Sequence, residues 1–357
     1  MFIIKKNYYE VNIYKNLNLL YHEAYKKWYN YIRRCFIWKI KINYGNLFLL
    51  IVIIGFIAFG VVYLSHRLNN SDEDTKTPTN TTNTKKETDE VVSHLENLGY
   101  TKDEISNISK NLSKQDVMKI NKKYSHLSEL SNIKYFHIEN LERYENYFSK
   151  ESNIETVVMN VNTSLDKEFY TDIKEIADPY DTLVLVNKFY ALPSGIEPKT
   201  LINIEGQKMT QEAADAMKKM VSDLRNEGLK IILQSGYRSE TRQKNLYDWY
   251  VSVDGVKETD TYSARPNHSE HQTGLAMDLS TDGTLSEAFE NTEQFKWLNE
   301  NAHKYGYILR YKKDKVYMTG YTYEPWHYRY VGVEVATIIK NENLTFEEYY
   351  VKYKGLY

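Results

Sequence analysis

Polar and apolar positions divide this chain into four stretches of different character. From Leu47 to Leu64 no charged residue interrupts an apolar run, which reads LFLLIVIIGFIAFGVVYL. A bilayer core needs about 20 such residues, so the run predicts a membrane-crossing helix over 47–65. A cleaved leader would be shorter, nearer the start, and followed by a small-residue cleavage site. Here 46 residues precede the run, which points to an uncleaved signal anchor. Residues 66–90 then turn polar, and 69–90 contain no aliphatic or aromatic side chain. Such a stretch buries too little apolar surface to fold and reads as a tether, with a span of roughly 25 Å.

From 91 to 150 the apolar spacing becomes helical. Val91, Leu95 and Leu98 share one face and Gly99 supplies a stop. Thr101 to Glu104 has the form of a capping box, followed by Ile105, Ile108 and Leu112. Ser113 to Asp116 is a second start, and 137–149 adds a further helix; the stretch reads as a small helical stalk module. After 155 the pattern mixes. Val157–Val161, Leu183–Val186, Lys230–Gln234, Leu275–Leu279, Tyr307–Arg310, Val316–Met318 and Tyr328–Val331 read as strands. Residues 210–227, 240–253, 293–305 and 333–340 read as helices, and Thr345 opens a last short one. Strands and helices without regular βαβ alternation predict an α+β domain over 155–357, with helices packed on a central, mainly antiparallel sheet.

Charge changes the picture at the N-terminus only. Residues 1–46 hold nine Lys or Arg against Glu10 and Glu23. The positive-inside tendency places this basic tail in the cytoplasm and everything beyond residue 65 outside the cell. The expected localisation is a single-pass cell-membrane protein with an extracellular C-terminal domain. The overall charge of −2 names no partner, and nucleic acid is not expected as one. The single cysteine, Cys35, excludes an intramolecular disulfide framework. The 33 tyrosines read as a compositional bias.

Candidate chemistry is concentrated in two short segments, SEHQTGLAMD at 269–278 and EPWH at 324–327. They supply His271, Asp278 and His327, with Glu324 as a spare carboxylate. Two imidazoles and a carboxylate are a frequent set for catalytic zinc, with the fourth position left to water. A carboxylate beside that water suits proton transfer. Arg238 follows a predicted strand and Gly236, where a guanidinium could face developing oxyanion charge or a substrate carboxylate. His268 is three residues from His271 and is read as a bystander, and His303 as structural.

With SGYRS at 235–239 and EPWHYRYVG at 324–332, these segments resemble the VanY-type D-alanyl-D-alanine carboxypeptidases and the related LdcB-type L,D-carboxypeptidases. The resemblance covers roughly 155–357. It implies Zn²⁺ on His271, Asp278 and His327, Glu324 as general base, and Arg238, Gln243 and Ser269 as substrate contacts. It also implies a peptidoglycan stem peptide as substrate, losing a terminal D-alanine. Two other readings stand beside it: a peptidoglycan endopeptidase, and a non-catalytic wall-binding module of the same fold.

Overall fold

The computed structural model describes the backbone of residues 81–357 and the side chains from residue 88 on. The basic tail at 1–46 and the apolar run at 47–65 lie outside the described residues. Among the described residues no helix is long and apolar enough to cross a membrane.

Helix α1 (Thr81–Asn97) starts inside the stretch that composition assigned to a tether. Its apolar positions Val91 and Leu95 are buried. Helix α2 (Lys102–Asn111) has the expected capping box, with Thr101 N donating to Glu104 Oε2 at 2.7 Å and Glu104 N to Thr101 Oγ1 at 3.4 Å. The start at Ser113 yields only one turn, Lys114–Val117. Helix α3 (Leu141–Tyr147) follows.

The Val157–Val161 segment, expected as a strand, is instead the centre of helix α4 (Ile154–Asn162). Its β-branched residues suggested a strand, but Ile154, Val157, Val158 and Val161 also fall at i, i+3, i+4 and i+7. The Asn153 side chain caps the start by accepting from Thr156 N at 2.9 Å. Buried Val157, Val158 and Val161 join Leu95, Ile108, Leu127 and Tyr144 in one apolar cluster. Met159, on another side of α4, packs with Met318 and Val351 near the C-terminus. Arg143 and Asp166 add a bidentate ion pair at 2.8 and 2.6 Å.

A hairpin, β1 (Ile202–Ile204) and β2 (Gln207–Met209), precedes helix α5 (Gln211–Asn226). Strand β3 (Ile232–Ser235) leads into helix α6 (Glu240–Tyr262), which is longer than expected and broken at Gly255 (φ 77°). Strand β4 (Ala276–Ser280), helix α7 (Glu293–Asn301), β5 (Tyr307–Leu309), β6 (His327–Tyr330) and helix α8 (Val333–Asn341) complete the order. The central sheet runs β3-β4-β6-β5 and every pairing in it is antiparallel.

Two further expected strands are absent from that sheet. Val316–Met318 forms one helical turn, closed by Gly320 at φ 70°. Leu183 lies in a turn, and Val184–Val186 joins no ladder. The Thr182 and Val184 carbonyls accept from Arg329 Nη2 at 3.1 and 2.8 Å, so a guanidinium takes bonds that a neighbouring strand would make.

Strand β4 is buried along its whole length, and its side chains alternate between faces. Met277 and Leu279, with Tyr328 from β6, join Met217, Val221 and Leu224 of α5 in the main core. Asp278 points to the other face.

Candidate metal centre and active site

Sheet register brings two of the three expected ligands together. Asp278 on β4 lies directly opposite His327 on β6. The third, His271, comes from a helical turn at Glu270–Thr273, which Gly274 ends in the left-handed region at φ 67°. A side chain at Gly274 would also press on Leu201 Cδ2 at 3.1 Å. Gly236 is needed for a different reason, since a Cβ there would lie 2.5 Å from the Lys208 carbonyl oxygen. That close approach places the Gly236 carbonyl 2.8 Å from His271 Nδ1.

His271, Asp278 and His327 are all buried, and one ligand atom from each lies within 4.8 Å of the others. His271 Nε2 is 3.2 Å from Asp278 Oδ2, and His327 Nδ1 is 3.2 Å from Asp278 Oδ1. Asp278 Oδ1 is nonetheless a buried oxygen without an aligned hydrogen bond, an arrangement costly unless a cation faces it.

The outward ring nitrogens fix which inward ones bear lone pairs. The Gly236 carbonyl can only accept, so His271 carries its proton on Nδ1 and turns Nε2 inward. His327 Nε2 faces Glu270 Oε2 at 3.2 Å, so its lone pair lies on Nδ1. Two neutral imidazoles and a carboxylate aimed at one point fit zinc. Burial alone would keep the His327 ring neutral, but the carboxylates of Asp278 and Glu270 beside its two nitrogens override it and raise the ring to about 9. A metal binding at this point therefore displaces a proton. Burial lowers His271, with Arg238 adding to the effect. Asp278 overcomes its own desolvation through the two imidazoles and is held well below the ordinary carboxylate range.

Glu324 reaches the same point from the loop before β6, with Oε2 3.5 Å from His327 Nδ1. Burial pushes its carboxyl up to about 8, Asp278 and Glu270 add to the rise, and His327 and Arg238 oppose it. A dication beside it would draw that value back down. A buried carboxyl held near neutral pH can both take and return a proton.

These groups line one cleft of about 300 Å³ together with Arg238, Gln243, Ser269, Tyr250, Tyr262 and Trp326. Arg238 donates to Gln243 Oε1 at 2.8 Å and Ser235 Oγ at 3.0 Å. Gln243 is committed at both ends, since its Nε2 donates to the Ala264 carbonyl at 2.6 Å. In this state it orients Arg238. Ser269 is buried at the start of the His271 turn but makes no side-chain cap bond, which leaves its hydroxyl for the cleft. His268 stays apart from the ligand group, with Nδ1 2.7 Å from the Asn187 carbonyl.

Sequence reasoning missed the charged layer behind the ligands. Glu270 is fully buried and receives Arg310 Nε and Arg329 Nη1, each at 2.8 Å. Arg310 continues to Glu347 at 2.9 and 2.6 Å. Despite the desolvation cost, the two guanidiniums hold the Glu270 carboxyl well below the ordinary range. Two signals were present: Glu270 adjoins His271, and Arg329 is two residues from His327 on the same strand face.

The site has the layout of a hydrolytic metallopeptidase: a three-residue ligand set, a buried acid beside it, and an arginine across the cleft. Comparison with known proteins narrows that class. The model of the VanY family, D-alanyl-D-alanine carboxypeptidase, matches residues 206–333. YodJ of Bacillus subtilis (strain 168) is 43% identical over 227 residues, covering 58% of this chain and 82% of that protein. A D-alanyl-D-alanine carboxypeptidase of Enterococcus faecalis is 36% identical over 188 residues, covering 49% and 68%. The bifunctional D-Ala-D-Ala dipeptidase and carboxypeptidase VanXYC of Enterococcus gallinarum is 34% identical over 181 residues, covering 48% and 94%. The chain belongs to the VanY-type D-alanyl-D-alanine carboxypeptidase family.

Proposed function

We propose that this enzyme removes a terminal D-alanine from peptidoglycan stem peptides, outside the cell, while anchored in the membrane by residues 47–65. The observation that carries the catalytic part is the meeting of Glu324 and Arg238 with His271, Asp278 and His327 in one cleft. His271, Asp278 and His327 would hold Zn²⁺, which when bound supplies Lewis-acid polarisation of the scissile carbonyl and a more acidic water. Glu324 takes the proton of the attacking water and returns it to the departing amine. Arg238 faces the substrate carboxylate or the developing oxyanion, and Gln243 and Ser235 hold its guanidinium in place. Ser269 offers a hydroxyl to the peptide end.

A carboxypeptidase must tell a chain end from a chain middle, and the difference is one negative charge beyond the scissile bond. A site built to pair that charge leaves its own donors unmatched when the charge is missing. Defined stem peptides ending in a free acid or an amide, followed by mass spectrometry, test this reading. Loss of one terminal alanine from the acid, with a far slower amide, is expected. Internal cleavage would make the protein an endopeptidase, and no product would make it a binder. The membrane reading rests on the charge asymmetry around Leu47–Leu64. Protease added to intact protoplasts should remove the C-terminal domain; its full protection would overturn the orientation.

A further inference from the structure

On the opposite side of β6 from His327 lies a second cavity of about 260 Å³, between α7, β5 and α8. Leu298, Ala302 and Ile339 give it apolar walls. Tyr328 lines it, is completely buried, and its hydroxyl has no hydrogen-bond partner. His303 Nδ1, on the same lining, is likewise buried and unpartnered. Buried polar atoms in native proteins rarely stay unmatched, so two in one cavity wall point to a missing partner.

Charge at this cavity is also unbalanced. Lys312 Nζ donates to Asn343 Oδ1 at 3.0 Å and the Leu344 carbonyl at 2.8 Å, and Lys340 Nζ to Asn299 Oδ1 at 3.4 Å. These partners are neutral. A third lysine in the lining, Lys313, is held by Glu290 at 3.0 Å. The carboxylate in the lining, Asp314, accepts from Asn343 at 3.4 Å. Two lysines whose hydrogen-bond partners are all neutral, with Asp314 and Glu348 acting on Lys312 from a longer range, therefore stand beside an apolar cavity that contains an unmatched phenol.

We propose that this cavity is a second ligand site, separate from the catalytic cleft, for a compact aromatic carboxylate bearing a second polar group. The carboxylate meets Lys312 and Lys340, the ring fills the space between Leu298, Ala302 and Ile339, and the second polar group pairs with Tyr328. The cavity is smaller than ordinary drug-sized ligand sites, which selects for a single ring. Because Tyr328 adjoins His327 on β6, an occupant bears directly on the strand that carries a metal ligand.

The test is a titration of the zinc-loaded protein with 4-hydroxybenzoate, benzoate and 4-hydroxybenzyl alcohol, read by calorimetry and by methyl NMR. The methyl shifts separate binding in this cavity from carboxylate binding in the catalytic cleft. Saturable binding of 4-hydroxybenzoate is expected, with methyl shifts on Leu298, Ala302 and Ile339. The combined Lys312→Gln and Lys340→Gln variant should weaken it roughly five- to tenfold, the scale of two partly exposed ion pairs. Tyr328→Phe should weaken 4-hydroxybenzoate and leave benzoate unchanged. That change removes an unmatched hydroxyl and should not harm folding. No saturation, equal affinity across all variants, or shifts confined to the catalytic cleft would overturn the proposal.

Discussion

Replacing Glu270 by Gln changes one atom in the layer behind the ligands and tests how that layer works. Both arginines donate to Oε1 of Glu270, so an amide at this position must keep its oxygen there. The amide nitrogen then takes the place of Oε2, which faces His327 Nε2 at 3.2 Å in the native protein. An N–H there donates to the ring and moves the His327 proton to Nδ1, the atom aimed at the metal position. Losing an outer partner of this kind costs roughly 10- to 100-fold in metal affinity. Stability also falls, because two buried guanidiniums lose a shared anion. Removing one member of a buried charge set costs about 3–5 kcal/mol. Arg310 keeps Glu347, so the loss falls on Arg329, which is left with neutral acceptors: the amide oxygen at position 270 and the carbonyls of Thr182, Val184 and Tyr330. The lower end, about 3 kcal/mol, is expected, which corresponds to a melting-temperature drop of roughly 6–12 °C. Acid provides a further check. The folded Glu270 carboxyl sits below its ordinary value of 4.5, so its contribution is complete above that pH and lost as pH falls. The gap between native and Glu270→Gln proteins should therefore be widest at neutral pH and narrow below about 4.5. Zinc titration and thermal melts by circular dichroism measure all three effects. Unchanged melting together with zinc affinity within threefold of native would refute the reasoning. Glu270→Asp, which keeps the charge, serves if the Gln variant fails to fold.

Glu324→Gln should keep the fold and the zinc while catalysis falls by about a hundredfold or more, measured as kcat on a stem peptide; loss of zinc would make Glu324 a ligand instead. His271→Ala or His327→Ala should each abolish most zinc binding, read as metal per chain after dialysis, and full retention in both would sink the ligand set. Gly236→Ala forces a Cβ against the Lys208 carbonyl at 2.5 Å, so the Gly236 carbonyl must shift away from His271 Nδ1. That variant should melt earlier by several degrees and bind zinc more weakly, and a native melting curve would show that the loop yields without consequence.

The amino-acid order by itself named the candidate ligands and the candidate acid–base group. His271, Asp278, His327 and Glu324 stand in segments whose local punctuation, Gly274 and Pro325, was readable without a fold. Helix α5 was equally legible, because its Met217, Val221 and Leu224 stripe and its stop at Gly228 are local signals. Tertiary structure decided what local pattern leaves open. The apolar run Val157–Val161 suits a strand and a helix equally, and the Asn153 cap and the packing of α4 decided for helix. Val184–Val186 was expected as a strand but joins no sheet, and Arg329 occupies the Val184 carbonyl that a neighbouring strand would need. The alignment of Asp278 with His327 depends on the β4–β6 register, a long-range pairing that no window of sequence contains. The same holds for the charged layer. Glu270, Arg310, Arg329 and Glu347 come from separate parts of the chain, and charge in a sequence normally signals solvent. Only folding the chain showed that each of the four has buried partners, and that Glu270 faces a ring nitrogen of the candidate ligand His327.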